Sequence, residues 1–239
     1  MSNKLESIRN RLTDVIIGSE EPSYLMILGL ITDGHILIQG APGIGKTTLA
    51  ETLAKSINGS FSRVQFTPDI LSSDLLGYSI YHQSKEEFEF VRGPVFSNVL
   101  LADEINRTSP RVQSSLLECM NERQVSIDGY THKLSLPFMV IATQNNVHST
   151  GTFALPEPQL DRFMLSISMG IPDPDTQTKI LLKHSNEEAE SRDFDPLIEL
   201  EEIIDFQSQV KSIHVSENIC SYITEICDCA RRKKGMTHS

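Results

Sequence analysis

The first 170 residues alternate between short, continuous apolar runs and longer stretches in which apolar residues recur at helical spacing. Continuous apolar runs are typical of strands buried on both faces of a sheet, and helical spacing predicts amphipathic helices. Alternation of the two predicts an α/β fold with a parallel sheet covered on both faces. The predicted strands cover residues 36–38, 61–67, 99–102, 138–142 and 164–169. The predicted helices cover residues 4–15, 19–32 and 47–58, and a fourth begins at Ser109 and Pro110.

Two stretches between these elements predict antiparallel hairpins instead. Residues 78–91 alternate around Ser84 and Lys85. Asp128-Gly129 is a strong two-residue turn signal within residues 124–135. We therefore expect one hairpin before the third predicted strand and one after the fourth helix.

The C-terminal part of the chain has a different pattern. From residue 176 to residue 235 only helical spacing is found, for example at Ile219 and Ile223. We therefore predict two domains, an α/β domain over residues 1–173 and a helical domain over residues 174–239.

Composition excludes some classes of function. The net charge is −11, so the chain is a poor candidate for coating a nucleic acid or an anionic membrane by bulk charge. With 39% hydrophobic and 22% charged residues, the balance is that of a globular protein. The apolar stretches are too short to cross a bilayer, and the N-terminus carries no signal-peptide pattern, so we expect no membrane span.

The four cysteines favour a reducing compartment. Cys220, Cys227 and Cys229 lie at a spacing that matches no common zinc pattern. On a helix, most of them are expected on the buried face. Reduced thiols fit this pattern better than a metal site or a disulfide does, and we expect a cytoplasmic location.

The first chemical signal is Gly40-x4-Gly45-Lys46-Thr47, which fits the phosphate-binding pattern G-x-x-x-x-G-K-[ST] in full. Glycines let backbone N–H groups wrap a polyphosphate, and the positive end of the following helix adds to the field. Lys46 is predicted to reach the β- and γ-phosphates, and the Thr47 hydroxyl to ligate Mg²⁺. The motif predicts a P-loop NTPase, a three-layer sandwich; a glycine-rich turn with a capping threonine is the alternative. The predicted nucleotide-binding residues here are Gly40, Ala41, Pro42, Gly43, Ile44, Gly45, Lys46, Thr47 and Thr48.

The second signal is an apolar strand, residues 99–102, that ends in Asp103-Glu104. It is weak alone but becomes specific when paired with the upstream glycine motif. Asp103 is expected to hold the Mg²⁺ shell, and Glu104 to orient and polarise the attacking water. A carboxylate at that position favours hydrolysis of the nucleotide over binding alone, and two idle exposed carboxylates are the alternative.

With these two motifs and several further segments, the chain resembles the AAA+ ATPases and, within them, the MoxR family. The resemblance covers about residues 16–235 and implies an AAA+ core followed by a partial, all-α lid. Its other segments are Gln65-Phe66-Thr67-Pro68-Asp69, Arg92-Gly93-Pro94-Val95-Phe96, Ile105-Asn106-Arg107-Thr108-Ser109-Pro110, Gln113-x2-Leu116-Leu117-Glu118, Ile141-Ala142-Thr143-Gln144-Asn145 and Leu155-Pro156-Glu157-x-Gln159-Leu160-Asp161-Arg162-Phe163.

The resemblance implies further site residues. Asn145 corresponds to the sensor 1 residue, which helps to position the lytic water. Arg162 corresponds to the arginine finger, which projects into the ATP of the neighbouring subunit; a salt bridge with a nearby carboxylate is the alternative. Ile17 and Gly18 belong to the segment that packs on adenine. The two predicted hairpins resemble inserts that point into the ring pore or toward a partner.

One departure concerns the lid. The segment that would carry the sensor 2 arginine follows the position where this sequence stops, at Arg231 to Ser239. The resemblance therefore implies a chain cut short before that segment, which binds nucleotide yet turns over poorly. A nucleic-acid patch at residues 231–234 is disfavoured by the overall acidity, and favourable charge at a helix C-terminus is preferred.

These observations lead to one expected function and to alternatives. We expect a Mg²⁺-dependent ATPase whose full-length form assembles into a ring, most simply a hexamer. It would drive chaperone-like remodelling or maturation of a partner, which the resemblance implies to be a protein with a von Willebrand factor A domain. The alternatives are a nucleotide-gated binding module without significant turnover and a magnesium-chelatase-like motor subunit. A small-molecule kinase is disfavoured, because the hairpins and Arg162 have no clear role in a monomeric phosphotransferase.

Overall fold

The fold is given by a computed structural model that describes residues 2–40, 43–144, 153–170, 173–186 and 195–232. The strands are β1 (Ile36–Gly40), β2 (Phe61–Gln65), β3 (Gly77–His82), β4 (Glu87–Arg92), β5 (Val99–Asp103), β6 (Gln124–Ile127), β7 (Tyr130–Lys133), β8 (Met139–Gln144) and β9 (Leu165–Met169). The helices are α1 (Ser2–Val15), α2 (Glu20–Ile31), α3 (Lys46–Ser56), α4 (Ser72–Leu76), α5 (Pro110–Glu122), α6 (Glu157–Leu160), α7 (Pro174–Asn186), α8 (Leu200–Lys211) and α9 (Glu217–Arg232).

Five strands form one parallel sheet in the order β2-β5-β8-β1-β9. The register sets Ile36 of β1 beside Ile141 of β8, and Leu101 of β5 beside that same residue. Crossover helices separate the strands along the chain, as a parallel sheet requires. The predicted α/β fold with a parallel sheet is therefore confirmed.

Apolar side chains cover both faces of this sheet, so the strands are buried on both sides. On one face, α1, α2, α3 and α8 pack against alternate strand residues such as Leu101 and Ile141. On the other face, α5 packs with the second hairpin against Leu100 and Val140. Alternate residues of a strand point to opposite faces, and this alternation explains why the continuous apolar runs predicted strands of this kind.

Both predicted hairpins are confirmed. β3 pairs with β4, and Tyr81 lies opposite Phe88 near the turn. β6 pairs with β7 across Asp128-Gly129, whose φ angles of 52° and 81° suit a two-residue turn. A stacked contact between Phe90 and His132, with ring centroids 4.1 Å apart, joins the two hairpins.

The structure corrects three local expectations. The apolar stripe that helical spacing predicts on α2, Leu25, Leu28 and Ile31, is only half-buried. The buried positions are the neighbouring residues Met26, Ile27 and Leu30. α3 ends at Ser56, two residues before the predicted end, and Asn58 takes the left-handed conformation just beyond it, at φ 53°. The last three cysteines do not lie on a buried face, since all three are exposed on α9.

The C-terminal helices relate to the sheet in different ways. Ile203 and Phe206 of α8 pack in the same apolar cluster as the sheet, and the Gln207 amide donates to the Leu30 carbonyl at 2.8 Å. None of the residues of α9 is buried, and apolar side chains such as Ile219 and Ile223 are exposed. The domain division near residue 173 stays a prediction. Among the described helices, none has the length and apolar character needed to cross a membrane.

Candidate active site

The glycine motif forms the turn between β1 and α3. Gly43 and Gly45 have φ angles of 84° and 89°, in the left-handed region that L side chains rarely adopt. The left-handed Gly45 precedes the first turn of α3, which begins at Lys46. A Cβ at Gly40 would meet the Met169 carbonyl oxygen at 2.6 Å, so β1 approaches β9 too closely for a side chain there. Two predicted P-loop residues, Ala41 and Pro42, lie outside the described residues.

The side chain of Lys46, the first residue of α3, reaches back to the start of this turn. This side chain is buried, at 7% exposure for the residue, and Nζ donates to the Gly40 carbonyl at 3.0 Å. Burial lowers the pKa of Lys46 from its ordinary value, and the negative charges of Asp103 and Glu104 oppose that shift. The lysine is therefore in electrostatic contact with the two predicted carboxylates.

Asp103 and Glu104 lie at the carboxyl end of β5, on the sheet edge where the β1–α3 turn also lies. Thr143 of β8 bridges them, because its Oγ1 donates to Asp103 Oδ1 at 2.6 Å and accepts from the Glu104 N–H at 2.8 Å. Glu104 itself is left-handed at φ 58°, an uncommon conformation for a residue other than glycine. Three hydrogen-bonding groups thus hold the strand end in one arrangement, which persists despite local backbone strain.

Each carboxylate also pairs with an arginine. Arg63 Nη2 lies 2.7 Å from Asp103 Oδ2, and Arg107 Nη1 lies 2.8 Å from Glu104 Oε2. Both carboxylate side chains are mostly buried, at 13% and 16% exposure, and both arginines are about half exposed. The site therefore combines two buried negative charges with cations that can move into solvent.

A cavity of about 1040 Å³ opens beside the glycine turn. Ile16, Ile17 and Gly18 form one wall, between α1 and α2, and α7 contributes Gln177 and Ile180 to another. The remaining P-loop side of the cavity is lined by Gly43, Ile44, Gly45 and Thr48. An apolar wall next to N–H-rich backbone suits a ligand with a flat apolar part and an anionic part.

The donors near the turn fit a magnesium ion that is shared with phosphate. Thr47 and Asp103, the two predicted ligands, both offer hard oxygen donors, which Mg²⁺ prefers. Arg63 already places a positive charge on Asp103 Oδ2, so the carboxylate is arranged to receive a cation. Within the described ranges there is no group of three or more His, Cys, Asp or Glu side chains that could hold a metal. Mg²⁺ typically takes one or two protein carboxylates and completes its shell with phosphate and water.

Two predicted site residues are not joined to this cluster. Arg162 follows α6, is exposed, and has no carboxylate partner among the described residues. It does not line the cavity. Asn145 lies outside the described residues.

Sequence reasoning missed Arg63, Arg107 and Thr143 as site residues. Thr143 and Arg107 lie inside segments that carry the family resemblance, so they could have been considered. Arg63 gave no signal, since its contact depends on the register that sets Gln65 of β2 beside Asp103 of β5.

Comparisons with known proteins agree with this geometry. The model of the ATPase family associated with various cellular activities (AAA) matches residues 35–165. The uncharacterized protein YeaC of Bacillus subtilis (strain 168) is 43% identical over 219 residues, 91% of this chain and 68% of that protein. Chaperone MoxR1 of Mycobacterium tuberculosis is 47% identical over 169 residues, 71% of this chain but only 45% of that protein.

A solved structure extends the likeness to three dimensions. The crystal structure of a proposed ATPase from Cytophaga hutchinsonii ATCC 33406 superimposes with a TM-score of 0.85 at 39% identity. The match covers 95% of this chain and 69% of that one. The chain thus spans about half to two thirds of the length of the relatives it matches. The match to the AAA family model, the relatives and the arrangement of Lys46, Asp103 and Glu104 together establish that the chain belongs to the MoxR family of AAA+ ATPases.

Proposed function

We propose that this chain binds ATP with Mg²⁺ in the cavity beside the β1–α3 turn and hydrolyses it. The observation that carries the proposal is the convergence of Lys46, Asp103 and Glu104 at one edge of the sheet. Lys46 interacts electrostatically with both carboxylates, and Thr143 joins the two by hydrogen bonds. A buried cation beside two carboxylates, directly after a glycine turn that lines a cavity of about 1040 Å³, suits a metal-bound polyphosphate.

The residues of the chain divide the work of binding. Backbone N–H groups of residues 43–48 and the N-terminus of α3 receive the phosphates, and Lys46 moves from the Gly40 carbonyl to a phosphate oxygen. Ile16 and Ile17 provide an apolar wall for the base. Thr47 and Asp103 would hold Mg²⁺, which supplies charge neutralisation on the β- and γ-phosphates when it is bound.

Glu104 is the proposed catalytic residue. Its backbone N–H donates to the Thr143 hydroxyl, which holds the backbone at the strand end, and its side chain pairs with Arg107. A carboxylate in that position accepts a proton from the attacking water or orients it, in line with the γ-phosphate. Asn145 is proposed to help position that water.

We further propose that turnover requires assembly into a ring, most simply a hexamer, in the cytoplasm. Arg162 is exposed and away from its own cavity, so it is available to a neighbouring subunit. The cycle would remodel or mature a partner protein, for which a protein with a von Willebrand factor A domain is the proposed case. The β3–β4 hairpin offers exposed Tyr78, Tyr81 and Phe88 as contact residues for such a partner.

Calorimetry and turnover measurements test the ATPase proposal. Lys46→Ala is expected to weaken ADP binding by roughly 10- to 100-fold, because a charge-assisted contact with phosphate is lost. The matched control is Lys55→Ala, on the same helix, whose amine pairs with the exposed Glu51 instead. Glu104→Gln is expected to keep nucleotide binding and to lose turnover by roughly 10²- to 10⁴-fold. Unchanged turnover in Glu104→Gln would exclude the mechanism.

A nucleotide-gated binding module is the second candidate. It is favoured by the ion pairs of Arg63 with Asp103 and of Arg107 with Glu104, which occupy both carboxylates. In this function nucleotide would bind and control a partner, without significant hydrolysis. Tight binding of ATP without turnover, at protein concentrations that assemble the ring, would favour the module over the motor.

A further inference from the structure

Both carboxylate oxygens of Asp103 are engaged in the folded chain. Oδ1 accepts from the Thr143 hydroxyl at 2.6 Å, and Oδ2 pairs with Arg63 at 2.7 Å. The Thr143 contact comes from inside the site, where the bridging hydroxyl also accepts from the Glu104 N–H. The Arg63 contact comes from the neighbouring strand β2, and the Arg63 side chain is 48% exposed. The two oxygens therefore differ, since one is held by a buried bridge and the other by a cation with access to solvent.

Arg63 has a second partner that lets it leave Asp103 without losing every contact. The same Nη2 that pairs with Asp103 Oδ2 also donates to Gln65 Oε1 at 3.2 Å. Gln65 lies two residues further along β2, on the same face of the sheet, and its Cα is paired in register with Asp103. A shift of the guanidinium toward Gln65 and solvent would free Oδ2 with little cost.

From this arrangement we propose that Arg63 is the resident counter-ion of Asp103 and competes with the divalent cation for Oδ2. The inference rests on the proposed nucleotide function, because it assigns Arg63 a role at that same site. Arg63 is then a positioning residue that sets the metal concentration at which the site is filled. It keeps a mostly buried carboxylate paired when no cation is bound, and an unpaired buried charge is costly.

The competition has a defined size. An ion pair whose arginine is half exposed is worth up to about 1 kcal/mol, which corresponds to about a fivefold change in an affinity. Removing Arg63 should therefore lower the metal concentration needed for half-saturation by about fivefold. If Arg63 served only to orient Asp103 as a ligand, its removal would raise that concentration instead.

The test measures metal affinity directly, with Mn²⁺ as the probe. Protein with one equivalent of ADP is titrated with Mn²⁺, and free Mn²⁺ is followed by electron paramagnetic resonance. Arg63→Gln is expected to bind Mn²⁺ about fivefold more tightly than the unchanged chain. Arg63→Lys keeps a cation on β2 and is expected to return the affinity to within about twofold of the unchanged chain.

The matched control is Arg107→Gln. Arg107 is exposed to 47%, close to the 48% of Arg63, but its partner is Glu104. Its removal corrects for the loss of one positive charge near the site. If both variants still bind ADP, and Arg63→Gln binds Mn²⁺ no more tightly than Arg107→Gln does, the inference is overturned. Failure of the unchanged chain to bind ADP would overturn the proposed function, and the inference with it.

Discussion

At the scale of single residues, His35 has an environment that makes stability depend on pH. Nδ1 accepts from the Val140 N–H at 3.0 Å, so Nε2 carries the proton and donates to the Met120 carbonyl at 3.2 Å. This neutral ring joins β1, β8 and the end of α5. Burial and, after it, the positive charge of Arg123 lower the pKa of His35 to about 4, against smaller opposing effects of the hydrogen bond to the Met120 carbonyl and of the Asp33 charge.

The pH dependence follows from the sign of this shift. The pKa of His35 is about 4 in the folded chain and 6.5 ordinarily, so the unfolded chain binds more protons between these values. The stability that neutral His35 contributes is fully present above pH 6.5 and is lost as the pH drops toward 4. Between pH 7.5 and pH 5.5 we expect a loss of about 1.4 kcal/mol from His35, as measured by urea unfolding.

The comparison protein is His35→Gln, which keeps a donor and an acceptor but does not titrate. Its stability should be lower at pH 7.5 and should decline less between the two pH values. The difference in slope between the two proteins isolates His35 from the other six histidines. Equal slopes would contradict the assigned environment of the ring.

The residues of the candidate site differ in how far a local sequence pattern encodes their positions. Lys46, Asp103 and Glu104 were predictable because their motifs encode local geometry, a glycine turn and a strand end. Arg63 was not predictable, because it reaches Asp103 across a strand pairing between residues about forty positions apart. Register between distant strands is set by burial over the whole sheet and has no local signature.

At the scale of elements, the β3–β4 hairpin depends on Gly77 at its base. Gly77 has φ 103°, and a Cβ there would lie 2.2 Å from the Val91 carbonyl oxygen. Gly77→Ala combines a conformation that L residues avoid with a clash against backbone, and we expect a loss of about 3 kcal/mol. For a chain of this size that loss lowers Tm by roughly 6–12 °C in calorimetry.

Gly129→Ala is the control for backbone strain alone. Gly129 also lies in a hairpin with a positive φ, 81°, but a Cβ there would meet nothing within 4 Å. We expect a loss of about 1 kcal/mol, or roughly 2–4 °C. If Gly77→Ala lowered Tm no more than Gly129→Ala does, the close backbone contact assigned to the hairpin base would be contradicted.

The C-terminal helices allow a second test at this scale. Ile203 of α8 is fully buried in the cluster that covers the sheet, whereas Ile219 of α9 is 49% exposed. Ile203→Ala should therefore cost about 3 kcal/mol, through lost burial and a cavity. Ile219→Ala should change stability by less than about 0.5 kcal/mol, and urea unfolding compares the two. Similar losses in both variants would contradict the packing of α8 as part of the α/β core.

The elements show why the sequence predicted the sheet better than the helical part. A strand buried on both faces leaves a continuous apolar run, which is visible without knowledge of its neighbours. A helix has an apolar stripe whether or not a partner covers it, so spacing alone gave α8 and α9 the same description. Only the contacts distinguish them, since Gln207 and Lys211 tie α8 to Leu30 and Asp33.

At the scale of the whole molecule, the position of Arg162 is the feature that concerns assembly. The proposed nucleotide cavity is formed by α1, α2, α7, the end of β9 and the P-loop, and Arg162 is not among the residues that line it. Arg162 is exposed and has no carboxylate partner within the described part of the chain. In the proposed ring, this exposed cation would act in a contact between subunits, as an arginine finger supplied to the neighbouring site.

Mixing two inactive variants tests whether Arg162 acts across a subunit interface. Glu104→Gln lacks the proposed catalytic carboxylate but keeps the arginine, and Arg162→Ala has the reverse defect. Each alone should be nearly inactive, because an arginine finger contributes about 10³–10⁵ to the rate. In a random 1:1 ring, half of the subunits keep Glu104 and half of their neighbours keep Arg162, so about a quarter of wild-type turnover should return.

The control mixes Arg162→Ala with the double variant Glu104→Gln/Arg162→Ala, in which no subunit offers the arginine. This mixture should stay inactive, since every surviving Glu104 lacks a neighbouring Arg162. The comparison separates a finger supplied by a neighbour from one supplied within the same chain, because a finger in the same chain gives no recovery in either mixture. Recovery in the first mixture alone would therefore show that hydrolysis requires ring assembly, because Arg162 would act at the site of the neighbouring subunit and not at the site of its own chain.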